Sequence, residues 1–268
     1  MITQLNNRAL LKLSGSDTQT FLQGQFSNDI DALEEGVVQI NAYCQHQGKI
    51  TALLWVMRQG EDFYLSFPDD LKVIVVQKLT MFKMMSDVAI TDISDEMAQL
   101  GLLEGDGQDL LAFKLNTQQS IALVSDVSGV EFSDSAVWEW ACIANKVPEV
   151  TLATSEKFVP QMLNLDIDEV GVSFTKGCYP GQEVVARLHY LGKSKRRMRA
   201  FECAQDLQVG DKLFALGSSS AKASGVVVRR VKLDSKFLCL ATIEVAHEDG
   251  EITLNDVQGA PLIRINYD

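Results

Sequence analysis

Alternating apolar and polar positions dominate the first part of the chain and predict an antiparallel sheet. Apolar side chains recur at every second residue in three segments that polar turns separate, namely 38–44, 50–56 and 63–67. This period is typical of strands with one buried face. Helical spacing over 71–82 then predicts a helix across one face of the sheet. We expect three methionines beside this helix to fill the core: Met81, Met84 and Met85.

Weaker signals continue the mixed pattern up to about residue 150. A capping box over 16–19 predicts the start of an earlier helix. Helical spacing over 137–144 predicts a further helix that carries two tryptophans, of which we expect Trp140 to pack in the core. Other segments are typical of short strands or of a surface loop. They are the strands 9–13, 88–90 and 100–103, and the loop 104–108.

From residue 200 onward the pattern predicts strands without helices. Three short apolar segments, 224–228, 237–243 and 261–265, are separated by turn residues that include 217–220, which favours a small β-barrel. The mixed elements before it favour an α+β layer. We therefore divide the chain into a module of residues 1–196, for which a further break near 100–150 stays open, and a barrel of residues 197–268.

Composition restricts the partners and the compartment. The 268 residues carry a formal net charge of −12, which opposes nonspecific binding to nucleic acid or to an anionic membrane. The five cysteines are scattered and form no C-x-x-C pair, which argues against a disulfide framework and a zinc site. We find no other metal motif. Without a signal peptide or a long apolar run, we expect a cytoplasmic protein that does not enter the membrane.

Residues 175–183, Thr-Lys-Gly-Cys-Tyr-Pro-Gly-Gln-Glu, are hard to explain by packing alone. Two glycines and a proline predict a tight loop, and the apolar spacing after it predicts a helix from near Gly181 to Gly192. The positive end of such a helix can hold a carboxylate, a phosphate or a carbonyl. Cys178 lies just before this end, and the nearby Lys176 also favours a thiolate. The alternative is a buried thiol in a glycine-rich connection.

The eight residues 176–183 closely resemble the K-G-C-[FY]-x-G-Q-E signature of the YgfZ family of folate-binding proteins, relatives of the glycine-cleavage T-protein and of dimethylglycine oxidase. Segments 158–161 and 185–187 also look like this family. The resemblance implies a T-protein-like folate-binding module with antiparallel sheets and helices, followed by a C-terminal β-barrel. It further implies binding of tetrahydrofolate or a folate derivative, and participation in tRNA modification through maintenance of iron–sulfur enzymes such as those that thiolate tRNA.

The resemblance also implies site residues. Trp138 aligns with an aromatic that the family places against folate, and the second aromatic contact falls near Arg8, a departure from the pattern. A guanidinium can still stack on the ligand or pair with its glutamate carboxylate. Gln25 and Asp29 match a Gln-x-x-x-Asp pattern that lines the family's central cavity, although such residues are more often turn-makers.

The signature loop is expected to border the folate pocket, with Cys178 as a thiol for redox or transient cluster chemistry. In this hypothesis Lys176 lowers the pKa of Cys178. The remaining signature residues shape or brace the loop: Gly177, Tyr179, Gly181, Gln182, Glu183 and Arg187.

Two features separate the competing functions. T-protein chemistry depends on an aspartate in the strand after the first hairpin turn, and the matching segment 48–54 has no carboxylate, which disfavours aminomethyltransferase activity. Segment 187–199 carries six positive residues and no acidic one. It is either a solvated linker or a phosphate-contacting edge beside the cavity, where an RNA or a polyglutamyl tail docks. It lacks the interleaved aromatics that base stacking favours. The alternatives to a folate-binding accessory factor are thus a one-carbon transferase and an RNA-binding adaptor.

Overall fold

The structure, a computed structural model, describes residues 1–103, 110–218 and 223–267. The predicted loop 104–108 and part of the predicted turn 217–220 lie outside these ranges. The helices and strands follow in chain order: β1 Ile2–Gln4, β2 Arg8–Ser14, α1 Thr18–Gln23, β3 Gln39–Cys44, β4 Ile50–Gln59, β5 Asp62–Pro68, α2 Lys72–Phe82, β6 Ala89–Asp92, β7 Ala98–Leu103, β8 Ala112–Lys114, β9 Gln119–Val124, α3 Ser135–Ala144, α4 Gln182–Leu191, β10 Arg196–Cys203, β11 Lys212–Ala215, β12 Gly225–Leu233, β13 Lys236–Glu244, β14 Ile252–Leu254 and β15 Pro261–Ile265.

The predicted meander forms the centre of a five-stranded antiparallel sheet with the order β3-β4-β5-β2-β6. β4 is buried along most of its length on both faces, because this sheet is covered on both sides. A second antiparallel sheet has the order β1-β7-β9-β8. Helix α3 contacts β1 of this sheet and the barrel strands β12 and β13. The first part of the chain therefore has the mixed α+β character that its sequence predicts.

The predicted C-terminal barrel is confirmed as a closed sheet with the order β10-β13-β12-β11-β14-β15. Its interior is filled by apolar side chains that alternate along the strands, among them Phe201, Val227 and Cys239. β10 begins at Arg196, so three of the six cations of the basic segment lie in the first barrel strand. The main apolar core continues across the predicted boundary, since it includes Met198 and Leu240. The division into residues 1–196 and 197–268 stays a prediction.

Three local predictions are wrong. No side-chain hydrogen bond caps α1, because the Ser16 hydroxyl donates to Asp87 instead. Met84 and Met85 follow the end of α2 and are 82% and 97% exposed, and Met81 is also exposed. Trp140 lies on the outer side of α3 and is 43% exposed. An apolar side chain beyond a helix end or on the outer side of a helix can thus lie outside the core. Within the described ranges, no helix is long and apolar enough to cross a membrane.

Candidate functional site

The signature loop docks on the turn between β3 and β4. Gly181 precedes α4 with a φ of 82°, a left-handed conformation that favours glycine. A Cβ at this position would lie 2.5 Å from the carbonyl oxygen of Gln45 and 2.8 Å from the backbone of Gly48. The backbones of the signature loop and of the β3–β4 turn are in direct contact, and only glycine at position 181 permits this approach. The predicted helix is confirmed, since α4 begins at Gln182 and ends before Gly192.

Lys176 points inward from this loop. Its Nζ donates to the carbonyl oxygens of Gln23, Phe26 and Asn28, each at 2.7 Å. An ammonium has three protons, so all of its donors are used on the chain that follows α1. The predicted action of Lys176 on the Cys178 thiol therefore finds no support in its contacts. Lys176 is a buried brace between the signature loop and the end of α1.

Asp29 and Gln25 lie on the segment that Lys176 holds. The carboxylate of Asp29 accepts hydrogen bonds from the side chain of Gln23 at 2.8 Å and from the backbone N–H of Asp31 at 3.2 Å. Asp29 is thus a turn-maker, the commoner interpretation of its sequence pattern. The buried Oε1 of Gln25 has no hydrogen-bond partner among the described residues. Burial lowers the pKa of Lys176 to about 8, although Asp29 and Asp31 oppose the shift.

Cys178 is exposed, whereas the other four cysteines are buried free thiols: Cys44, Cys142, Cys203 and Cys239. Burial raises the pKa of Cys44 to about 12 and that of Cys142 to about 11. A thiolate is the reactive form of cysteine, and an apolar environment suppresses it. Cys178 is therefore the thiol that a partner or a reagent can reach, and the alternative of a buried structural thiol is wrong.

The other signature residues divide into buried and exposed groups. Tyr179 is buried, which raises the pKa of its hydroxyl. Gln182 donates weakly to the carbonyl of Gly177 at 3.4 Å. Glu183 and Arg187 are exposed on α4 and make no side-chain hydrogen bond within the described part of the chain. The predicted bracing role thus belongs to Lys176 and, weakly, to Gln182, and not to Glu183 or Arg187.

A cavity with a volume of about 670 Å³ lies elsewhere in the described part of the chain. The β1–β2 turn, α3 and the barrel strand β12 enclose it. Trp138, Glu139, Glu149 and Arg229 line it, together with two further cations, Arg230 and Lys232. Its size is in the usual range of small-molecule sites, and it combines an aromatic group with convergent charges.

Four charged side chains from four segments meet at this cavity. Glu149 accepts from Arg8 at 2.6 Å and from Arg229 at 3.0 Å, and Arg229 also lies 3.3 Å from the carboxylate of Glu139. Arg8 makes a further hydrogen bond to Ser66 at 2.8 Å. Buried charges need such partners, because removing them from water is costly.

Trp138 and Arg8 are brought close together by Trp55. Trp138 is 2% exposed and lies edge-on to Trp55, with ring centroids 6.4 Å apart. It covers Gly101, where a Cβ would come within 2.5 Å of the indole. The Arg8 guanidinium lies 3.6 Å from the ring centroid of Trp55. Trp138 therefore forms a wall of the cavity, and Arg8 lies behind Glu149 without lining it.

The two carboxyl groups have opposite pKa shifts. Burial raises the pKa of Glu139, and Arg229 only partly offsets this effect. Burial also acts to raise the pKa of Glu149, but Arg229 and Arg8 together hold it below its usual value. Separated pKa values give two carboxyl groups different chemical roles. Glu139 is therefore the more easily protonated of the two carboxyl groups.

Sequence reasoning missed Glu139, Glu149 and Arg229. A signal was present, because Arg229 stands in the apolar strand Gly225–Leu233 and a buried arginine requires a carboxylate partner. The identity of that partner was not visible, since it comes from a distant segment.

The signature loop and the cavity are separate. Among the described residues, the cavity lining includes none from segment 175–183. β4 begins beside the turn that holds the loop, and Trp55 is five residues further along this strand, a distance of about 17 Å. Cys178, Gln25 and Asp29 do not line this cavity, and their roles at a folate pocket stay predictions.

The basic segment 187–199 is not a continuous patch. Arg196 pairs with Glu244 at 3.3 Å and Arg199 with Glu248 at 2.8 Å. Arg197 forms a bidentate salt bridge with the carboxylate of Asp166. Three exposed cations make no ion pair within the described ranges: Arg187, Lys193 and Lys195. Carboxylates outside β10 thus pair with the three arginines of this strand, half of the six cations of the segment.

No family model matches the chain. Individual relatives do match it in sequence. An uncharacterised protein of Haemophilus influenzae is 30% identical over 236 residues, which cover 86% of this chain and 84% of the relative. The tRNA-modifying protein YgfZ of Yersinia pestis (strain Pestoides F) is 30% identical over 231 residues, covering 74% and 69%. The protein of the same name from Photobacterium profundum is 26% identical over 273 residues, covering 90% and 83%.

A solved structure has the same fold. The glycine cleavage system aminomethyltransferase T from Bartonella henselae superposes with a TM-score of 0.72 at 13% identity, covering 99% of this chain and 84% of that chain. The predicted T-protein-like fold is therefore confirmed. At this level of identity the likeness shows the fold alone.

Proposed function

This chain belongs to the YgfZ family of tRNA-modifying proteins, and on that premise we propose that it acts in tRNA modification as a folate-binding accessory protein. The cavity beside Trp138 carries the folate part of the proposal. The exposed thiol of Cys178 carries the part that concerns iron–sulfur enzymes. Because the two sites are separate, each can be tested without disturbing the other.

The residues of the cavity fit a folate. Its volume of about 670 Å³ exceeds that of a pterin with an aminobenzoyl group. The Glu139 carboxyl group suits the N–H donors of a pterin edge, and Arg230 and Lys232 suit the carboxylates of the glutamate tail. The buried Nε of Arg229 lacks a hydrogen-bond partner among the described residues. Its N–H group is therefore a donor that a bound ligand can use. Tetrahydrofolate, when bound, supplies a one-carbon carrier.

We expect Glu139→Gln to weaken tetrahydrofolate binding about tenfold, since a hydrogen bond to a charged group contributes roughly 1.5–3 kcal/mol. Calorimetric titration of the purified protein measures this change. Trp138→Phe should also weaken binding, because it removes part of the cavity wall. Trp140→Phe is the matched control on the same helix, where the ring faces solvent. Equal affinities for all four proteins, or no binding by the wild type, would remove folate from this cavity.

Cys178 is proposed to contact the iron–sulfur centre of a partner enzyme. Thiolates are the usual ligands of such clusters. The described part of the chain has no group of three or more side chains that could hold a metal ion. In this proposal the protein therefore meets a cluster that another protein holds. The five free thiols fit a reducing compartment, and we propose the cytoplasm.

We expect Cys178→Ser to reduce the thiolated fraction of tRNA severalfold in cells that rely on this protein, because a hydroxyl is a poor ligand for iron. Mass spectrometry of tRNA nucleosides measures the fraction. Gly177→Ala is the matched control, since a Cβ there meets nothing within 4 Å. Full thiolation with Cys178→Ser would exclude the thiol role.

A further inference from the structure

We propose that the exposed end of α4 binds unpaired bases of RNA. The surface consists of an aromatic platform, Phe174, His189 and Tyr190, and of three cations, Arg187, Lys193 and Lys195. It deepens the proposed function, on which it rests only in taking tRNA as the natural ligand.

The platform brings together Phe174, which precedes the signature loop, and two residues of α4, His189 and Tyr190. The ring of Phe174 stacks on His189 at 3.7 Å between centroids and 21° between planes. Tyr190 stands edge-on to both rings, at 4.8 Å from His189 and 6.1 Å from Phe174. Tyr190 is 65% exposed and the adjacent Leu191 is 83% exposed. Large apolar groups are left open to water here although a core lies directly beneath.

The three cations lie close to this platform along the chain. Arg187 lies one helical turn before Tyr190 and Leu191 and therefore shares their face. Lys193 and Lys195 follow directly after α4. None of the three forms an ion pair within the described ranges, whereas Arg196, Arg197 and Arg199 are neutralised by carboxylates. The one acidic residue of α4, Glu183, is in its first turn. In a chain of net charge −12, unpaired cations gathered at exposed rings indicate an anionic partner with flat groups.

Unpaired RNA has this chemistry. Its bases stack on aromatic side chains while its phosphates meet Lys and Arg. A duplex keeps its bases stacked on each other, so it can use the cations but not the rings. The platform also lies near the exposed thiol of Cys178, because Phe174 and Cys178 are four residues apart and their Cα atoms are at most about 14 Å apart. RNA on the platform would thus be held beside Cys178.

The test is the binding of a fluorescent uridine-rich single strand and of a blunt RNA duplex, followed by anisotropy at several salt concentrations. We expect Tyr190→Ala to weaken single-strand binding about tenfold and to leave duplex binding unchanged. Trp140→Ala, which removes an exposed ring on another helix, should bind as the wild type does. Thermal melting of each variant verifies that it is folded.

The charges are tested in the same assay. Replacing Arg187, Lys193 and Lys195 together by Gln should reduce the slope of log affinity against log salt by about 2, since each single-strand phosphate contact contributes about 0.7. Lys114→Gln, at an exposed cation on β8, should leave the slope unchanged.

Wild-type affinity in Tyr190→Ala, or equal loss for strand and duplex, would overturn the proposal and make the rings a protein contact. The outcome is independent of the proposed function. If Cys178→Ser impairs thiolation while the wild type binds no RNA, the function stands and this surface fails. If Tyr190→Ala loses RNA binding while Cys178→Ser leaves thiolation intact, the surface stands and the thiol role fails.

Discussion

Replacing Lys176 with Met is expected to lower the free energy of unfolding by about 3–5 kcal/mol. The ammonium satisfies the carbonyls of Gln23, Phe26 and Asn28, and a buried carbonyl left without a donor costs roughly 1–3 kcal/mol. The methionine chain fills much of the same volume, so the loss reports hydrogen bonds more than a cavity. Urea titration with a two-state fit measures the change.

Lys193→Met is the control, because this exposed lysine has no ion pair among the described residues, and its effect should stay within about 0.5 kcal/mol. The role that the sequence predicts for Lys176, lowering the pKa of Cys178, leads to a different expected result. If Lys176 activated Cys178, the Lys176→Met protein would keep its stability, and its Cys178 would react more slowly with iodoacetamide. That combination would refute the bracing role.

Replacing Arg229 with Met is expected to cost about 3–5 kcal/mol at neutral pH. Arg229 is 2% exposed and faces both Glu139 and Glu149. Removing one partner of a buried ion pair leaves the opposite charge buried without a partner. Arg230→Met is the matched control on the same strand. Arg230 is 3.5 Å from the exposed Asp206, a surface pair for which about 0–1 kcal/mol is usual.

The loss in Arg229→Met should shrink at low pH. In the wild type, Arg229 and Arg8 outweigh burial and hold the pKa of Glu149 below its ordinary 4.5. Its stabilising contribution is therefore present above pH 4.5 and disappears as pH falls through the folded pKa. Without Arg229, burial raises the pKa of the carboxyl groups, so their contribution is lost as pH rises instead. The difference in the free energy of unfolding between the wild type and Arg229→Met should widen from about pH 4 to neutrality. An equal gap across this range would mean that lost packing, and not charge, explains the effect.

The separation of the two sites changes how the protein would work. In the proposed function, a thiol at the edge of the cavity could act on a one-carbon unit carried by folate, but the loop is docked through Gly181 at the far end of β4. The cavity instead contains Glu139 and Glu149, carboxyl groups from α3 and the segment after it, although segment 48–54 lacks one. Carboxyl groups therefore reach this cavity from segments other than 48–54.

The sequence alone determined the features that depend on neighbours along the chain. The meander, α2, α4 and the barrel strands follow from apolar periods of two and of about 3.6 residues, because burial of one face acts on each segment separately. The tight loop before α4 follows from its glycines and proline. The signature was also sufficient to identify the family.

Only the tertiary structure decided which side chains meet. The acceptors of Lys176 lie about 150 residues earlier in the chain, and the network of Arg8, Glu149 and Arg229 joins three distant segments. It also decided that carboxylates from other segments pair with the three arginines of β10, and that Tyr190 stays exposed beside His189 and Phe174. A periodic pattern gives the direction of a side chain relative to its own element. It carries no information on the element that packs against it, and that second element decides whether a charge is paired, buried or free.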